Sequence, residues 1–143
     1  MPNQVTVSNC KLISLQQVVD ERDGILSIAE GLKNIPFEIK RVFYIYGLGY
    51  SKAQRGFHAH KELEQVLFCL NGSCKLLLDD GTNKQYFYLT DPNQGIYIGP
   101  KVWLQLFEFS NDCIIIVFNS DYFKESDYIR DYDEFIKFLE GAG

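Results

Sequence analysis

Short apolar runs, broken at close intervals by turn residues, restrict this chain to a fold made of many short strands. From Glu38 onward, residues 38–46, 65–70, 73–78, 85–89, 95–98, 103–109 and 113–118 are rich in β-branched and aromatic side chains. Gly47, Asn71-Gly72, Asp80-Gly81, Asp91-Pro92-Asn93, Gly99-Pro100 and Ser110-Asn111-Asp112 separate them. Turn signals every roughly 8–12 residues predict a sandwich or barrel rather than alternating β–α units. Asn71-Gly72 suits a type I′ turn, so 65–70 and 73–78 are expected to form a two-residue hairpin. In that hairpin Cys69 and Cys74 stand opposite each other, close enough for a disulfide, although reduced, packed thiols are expected. Cys10 and Cys113 have no metal-ligand spacing.

Upstream, 11–15 and 25–29 read as short strands with polar turns between them, and Pro36 breaks the chain. The C-terminus departs from the pattern. Asp131 and Glu134 have the spacing of a helix capping box. Beyond them Tyr132, Phe135, Ile136 and Leu139 share one helical face, which is expected to pack on the barrel. Residues 1–143 therefore read as one domain, all-β with a short C-terminal helix. With 46% hydrophobic and 23% charged residues it can bury a core. No apolar run approaches about 20 residues, so no membrane partner is expected. The start of the chain lacks the features of a signal peptide, and a cytoplasmic location is expected. A net charge of -5 argues against a nucleic-acid partner.

The candidate site is Arg55-Gly56-Phe57-His58-Ala59-His60-Lys61, which holds both histidines of the chain. On an extended strand His58 and His60 face one way, and Phe57 and Ala59 the other. Two imidazoles beside fixed positive charge suit either metal binding or proton transfer. The His-x-His pair and the strand pattern resemble a cupin, whose fold is a double-stranded β-helix or jelly-roll barrel. The resemblance implies two further metal ligands, a glutamate and a histidine. Gln65 and Leu104 occupy those positions. A transition-metal site normally needs three or more imidazole, carboxylate or thiolate ligands. No metal and no other cofactor is expected, and His58 and His60 remain as acid–base candidates.

A closer resemblance rests on 40–45, the Arg55–Lys61 string, Glu64-Gln65-Val66-Leu67, Leu70-Asn71-Gly72-Ser73-Cys74, Gly99-Pro100 with Trp103, Ser120-Asp121-Tyr122 and Asp127-Tyr128-Ile129-Arg130. Together these resemble the dTDP-sugar 3,4-ketoisomerases, over about residues 10 to 139. The resemblance implies a metal-free cupin homodimer acting on dTDP-4-keto-6-deoxyglucose. The reaction would move the ketone from C4 to C3 through an enediol. A downstream PLP aminotransferase would then use the product to make a 3-amino sugar for surface glycans such as a lipopolysaccharide O-antigen, or for secondary metabolites. His60 would be the base, matching the family's catalytic histidine, with His58 its partner and Tyr44 a possible proton donor. Arg55 and Arg41 would hold the diphosphate, with Lys61 beside them. Gln65, Trp103 and Leu104 would line the substrate pocket, and the aliphatic Leu104 leaves the C4 configuration of the product open between galacto and gluco. Two rivals are a dTDP-sugar 3,5-epimerase, which resembles this family but lacks the Arg55–Lys61 string, and a non-catalytic nucleotide-sugar-binding cupin.

Overall fold

The computed structural model describes residues 4–141. Two five-stranded antiparallel sheets face each other. The first contains β1 (Cys10–Ser14), β4 (Arg41–Ile45), β6 (Gln65–Asn71), β9 (Gln94–Ile98) and β11 (Ile114–Asn119), in the order β1-β9-β6-β11-β4. The second contains β5 (Arg55–His60), β7 (Cys74–Asp79), β8 (Lys84–Leu89), β10 (Trp103–Phe107) and β12 (Tyr128–Ile129), in the order β12-β5-β10-β7-β8. A separate arm pairs β2 (Gln16–Asp20) with β3 (Gly24–Ile28). The helix α1 (Tyr132–Gly141) closes the chain. This is the expected jelly roll, with its two sheets left open at the sides.

Strand periodicity explains the layers. On β11, Ile115 and Val117 point between the sheets, where they meet Leu67 of β6 and Leu104 and Leu106 of β10. Ile116 and Phe118 point outward, where Ile35 and Phe37 cover them together with Phe68. A strand buried on its inner face and half-buried on its outer one reads as a continuous apolar run, as this one does. The arm has no such cover: Val18, Val19, Ile25 and Leu26 are all more than half exposed. β3 falls on the strand expected at 25–29, whereas β2 forms in a stretch whose polar residues suggest a turn.

The hairpin expected at Asn71-Gly72 does not form. β6 pairs with β11 and β9, whereas β7 pairs with β10 and β8, so the chain crosses from one sheet to the other at this turn. Gly72 has φ +70°, and an added Cβ would collide with Ser110 Oγ. The Ser110 hydroxyl accepts the Ser73 N–H at 2.9 Å, and Asn71 Nδ2 donates to the Asp112 carbonyl at 2.9 Å. The turn is therefore tied to the 110–112 loop rather than to a partner strand. Cys69 and Cys74 still approach each other, now across the core, and Cys113 joins them.

The helix forms as expected. Asp131 caps it, its Oδ1 accepting the Glu134 N–H at 3.0 Å, a contact worth about 1 kcal/mol. Phe135 is fully buried against Trp103, Ala59 and Ile129, with Tyr132, Ile136 and Leu139 around it.

Candidate active site

A cavity of about 370 Å³ opens between the two sheets. Its apolar floor comes from inward positions of four strands: Phe43 and Ile45, Leu67, Val117, and Leu104 with Leu106. His58, Gln65 and Tyr128 supply its polar wall, and Arg55 and Arg130 stand at its edge.

The histidine strand reaches this cavity through a bulge. Gly56 has φ +85° and Phe57 φ +59°. On the opposite strand His58 faces Leu104, while Gly56 faces the very next residue, Gln105. Phe57 is thus the unpaired extra residue. On a regular strand, Arg55 and His58 would project from opposite faces. The bulge turns Arg55 onto the same side as His58, opposite Leu106. Gly56 is required there, because a Cβ would lie 2.8 Å from Leu104 Cδ1 and 2.9 Å from its carbonyl oxygen.

His58 Nδ1 lies 3.1 Å from the Gly56 carbonyl oxygen. A carbonyl only accepts, so Nδ1 carries the hydrogen and Nε2 carries the lone pair. Burial pushes the His58 pKa down to about 4, with Arg130 adding to the effect and the Gly56 contact and Glu125 opposing it. The imidazole is neutral at physiological pH and free to take up a proton. His60 is on the same side of the strand, as expected, but lies deeper at 3% exposed and outside the cavity lining. The two imidazoles meet edge to face at 4.9 Å, and the Tyr128 ring packs against both at 4.9 and 4.4 Å. Burial, then His58, Arg41 and Arg130, push His60 down to about 3. Neutral imidazole is therefore the physiological form, with Asp127 Oδ2 3.3 Å from Nδ1.

Besides His60, four of the expected site residues stand apart from this cavity. Tyr44 points outward, 64% exposed, and stacks on Tyr46, because Phe43 and Ile45 take the inward positions of its strand. Trp103 packs beneath α1 with Tyr132 and Phe135, since the neighbouring Leu104 faces inward. Lys61 follows the end of β5 and lies 6.0 Å over the Phe138 ring. Arg41 lines a separate groove and donates to Asn119 Oδ1 at 3.2 Å. Gln65, Leu104, Arg55 and His58 do line the cavity. Gln65 is held by Asn119, whose Oδ1 accepts its Nε2 at 2.8 Å.

Sequence reasoning did not assign site roles to Tyr128, Arg130, Asn119 or Asp127. Tyr128 belongs to a two-residue strand, too short to show periodicity, and only the Asp-Tyr-Ile-Arg string pointed to it. Arg130 lies 4.3 Å over the Tyr128 ring and makes a bidentate pair with Glu125 at 2.8 and 2.9 Å.

Where a metal would need ligands, the cavity wall offers the His58 imidazole, the Gln65 amide and the aliphatic Leu104, with His60 behind it. Among the described residues, the group with three close potential ligands is Cys69, Cys74 and Cys113, all buried in the core, with sulfur atoms within 4.8 Å of one another. The charged neighbour of that trio is the carboxylate of Asp112, and the thiols pack as small apolar groups.

The family model for FdtA, described as WxcM-like, C-terminal, matches residues 8–140. A TDP-4-oxo-6-deoxy-alpha-D-glucose-3,4-oxoisomerase of Aneurinibacillus thermoaerophilus is 50% identical over 129 residues, covering 90% of this chain and 91% of that one. Among solved structures, a histidine-to-asparagine variant of the 3,4-ketoisomerase QdtA from Thermoanaerobacterium thermosaccharolyticum, in complex with TDP-4-keto-6-deoxyglucose, superposes with a TM-score of 0.90. It is 41% identical over 94% of this chain and 96% of its own. The WlaRB TDP-quinovose 3,4-ketoisomerase of Campylobacter jejuni gives 0.86 at 43% identity, covering 92% and 99%. The rmlC epimerase of Mycobacterium tuberculosis, at 14% identity and a TM-score of 0.71 over 87% and 70%, shares the fold alone.

Proposed function

We infer that this chain, which belongs to the FdtA family, is a dTDP-sugar 3,4-ketoisomerase that converts dTDP-4-keto-6-deoxyglucose to its 3-keto isomer. The observation that carries the mechanism is the His58 ring. It is neutral, its Nδ1–H is held by the Gly56 carbonyl, and Nε2 is left as a proton acceptor in the cavity wall. Exchanging the places of a ketone and a neighbouring hydroxyl needs one base that can take a proton from carbon and return one to the next carbon.

His58 Nε2 removes the C3 proton. The C3–H electron pair becomes the C3=C4 bond, and the C4 carbonyl pair moves to O4, which is protonated to give the enediol. In the second half the O3 proton leaves, the C3 carbonyl forms, and C4 takes up a proton. His58 replaces His60 as the proposed base because it lines the cavity while His60 lies behind it. Tyr128 takes the proton-donor role expected of Tyr44, since its ring is against both imidazoles. Arg55 and Arg130 bind the diphosphate, where a guanidinium matches phosphate oxygens. Arg130 releases Glu125 to do so. Gln65 and Leu104 border the sugar.

The active form is a homodimer assembled through the β2–β3 arm. A two-stranded hairpin with four exposed apolar side chains is unstable in water on its own. A cavity of about 500 Å³ beside the arm, lined by Ile25, Phe68, Leu70, Ile116 and Phe118, gives the second copy an apolar surface to cover. The protein works in the cytoplasm, ahead of a PLP aminotransferase that consumes the 3-keto sugar for a surface glycan. No helix of the described residues is long and apolar enough to cross a membrane.

The test is incubation with dTDP-4-keto-6-deoxyglucose in deuterated water, followed by NMR. A ketoisomerase yields the 3-keto product with label at the C3–C4 unit and none at C5. A parallel incubation in ordinary water keeps a proton at C4, and its coupling reads out the galacto or gluco configuration. Label at C5 would indicate an epimerase, and no label a binding module. His58→Asn should lower turnover by about 10²–10⁴-fold. A His58→Asn enzyme with wild-type turnover would remove His58 as the base.

A further inference from the structure

Neither ring nitrogen of His60 has a hydrogen-bond partner at good geometry, although the side chain is almost sealed from solvent. One group is near enough to serve: Asp127 Oδ2, 3.3 Å from Nδ1. That carboxylate is fixed in place. Its Oδ1 accepts the Glu62 N–H at 2.9 Å and its Oδ2 the Leu63 N–H at 3.2 Å. The Asp127 carbonyl also accepts the Lys61 N–H at 3.0 Å. The three residues directly after His60 thus hold Asp127 against it, and Tyr128 pairs with His60 across the strands.

Asp127 also faces outward. It lines a groove of about 210 Å³, separate from the sugar cavity, together with Arg41, Ser120 and Lys124. On the inner side, His60 meets His58, which lines the cavity. Rear groove, carboxylate, buried imidazole, catalytic imidazole and sugar cavity follow one another through the wall of the barrel.

From this juxtaposition we propose that Asp127 is a positioning residue that fixes His60 as its Nδ1–H tautomer and links the histidine pair to water in the rear groove. The kinetic part of this inference rests on the ketoisomerase reading, and the tautomer part does not. A turn of the ring that brings Nδ1–H onto the carboxylate leaves the lone pair on Nε2, across the ring. Once His58 holds the C3 proton, that proton has two routes. It returns to the sugar at C4, or it passes to His60 Nε2 while the Nδ1 proton moves to Asp127 and on to groove water. The reverse transfers bring a solvent proton back to His58. Each group ends as it began, and no bond to carbon changes on the second route.

Two measurements test this. The first is ¹⁵N NMR of the imidazoles in the substrate-free protein and in Asp127→Asn, whose side chain has the same size and retains an oxygen for a backbone N–H. Wild-type His60 should carry its hydrogen on Nδ1, and the variant should lose that preference. Asp127→Glu, which keeps the charge, should recover it. The second uses substrate deuterated at C3, in ordinary water, and reads the fraction of deuterium carried to C4. Asp127→Asn should raise that fraction at least threefold, lower kcat by about tenfold or more, as a wrong imidazole tautomer does in acid–base catalysis, and leave KM within about twofold. Wild-type His60 found as the Nε2–H tautomer overturns the proposal. So does Asp127→Asn with unchanged tautomer and unchanged deuterium carry-over. A chain with the Nδ1–H tautomer but no isomerase activity would overturn the ketoisomerase reading and leave the tautomer assignment standing.

Discussion

Two neutral imidazoles packed into the wall of a barrel make the fold sensitive to mild acid. In the unfolded chain a histidine titrates near 6.5, whereas His58 and His60 are pushed down to about 4 and about 3. Below pH 6.5 the unfolded state therefore binds protons that the folded state refuses. The stabilisation is fully present above pH 6.5 and is lost as pH falls towards the two folded-state values. At pH 4.5 each histidine accounts for ~2.5 kcal/mol of that loss, so the pair has a ceiling of ~5 kcal/mol. Such a loss is a large share of the ~5–15 kcal/mol by which domains are usually stable. The carboxylates of Asp20, Asp80, Asp121 and Glu125, held below their ordinary values, begin to lose stabilisation only near the bottom of this interval, and comparison with the double variant subtracts their share. The assay is urea denaturation at pH 7 and pH 4.5, at one protein concentration, for the wild type and for His58→Gln/His60→Gln. The wild type should lose several kcal/mol more than the double variant over this interval. Equal losses would mean that the imidazoles are not held neutral by burial, and the reasoning would fail.

Arg55→Ala should weaken dTDP binding by ~1.5–3 kcal/mol, the value of a hydrogen bond to a charged group, as read by calorimetry. Unchanged affinity would remove Arg55 from the diphosphate site. Val19→Asp/Leu26→Asp on the arm should give a folded monomer in light scattering at concentrations where the wild type is a dimer. A double variant that remained dimeric would place the interface elsewhere.

How far the chain could be read varied with the kind of signal each residue carries. Apolar packing on both faces makes β11 a continuous apolar run, and the spacing of Tyr132, Phe135, Ile136 and Leu139 marks a helix face, so both were legible. Asn71-Gly72 specifies a reversal of the chain but not which strands pair after it. The contacts that decide this involve Ser110 and Asp112, remote in sequence. The His58–His60 face was legible from strict alternation. That Arg55 shares it was not, because alternation predicts the opposite and the bulge at Gly56-Phe57 has no periodic signature. Trp103 and Leu104 differ only in which side of one strand they occupy, and apolar residues on both sides gave no basis for choosing. Tyr128 and Asp127 act from a turn and a two-residue strand, where pattern has nothing to work on.

The crossing at Gly72 also governs how the chain must assemble. Because β6 and β7 part at the turn, proximity in sequence gives them no ladder to form early. Among the described strands, consecutive ones pair only in β2–β3 and β7–β8. The others must wait for distant partners, as when Arg41 meets Asn119 or Cys10 meets Ile98. Loop closure has to be completed before such contacts contribute, which places this barrel among slow folders, on the millisecond-to-second scale. During that interval the apolar faces of β6 and β11 are open to other chains. Nascent copies of this protein are then most exposed to aggregation before residue 119 has been synthesised, when β4 and β6 have no β11 to lie between them.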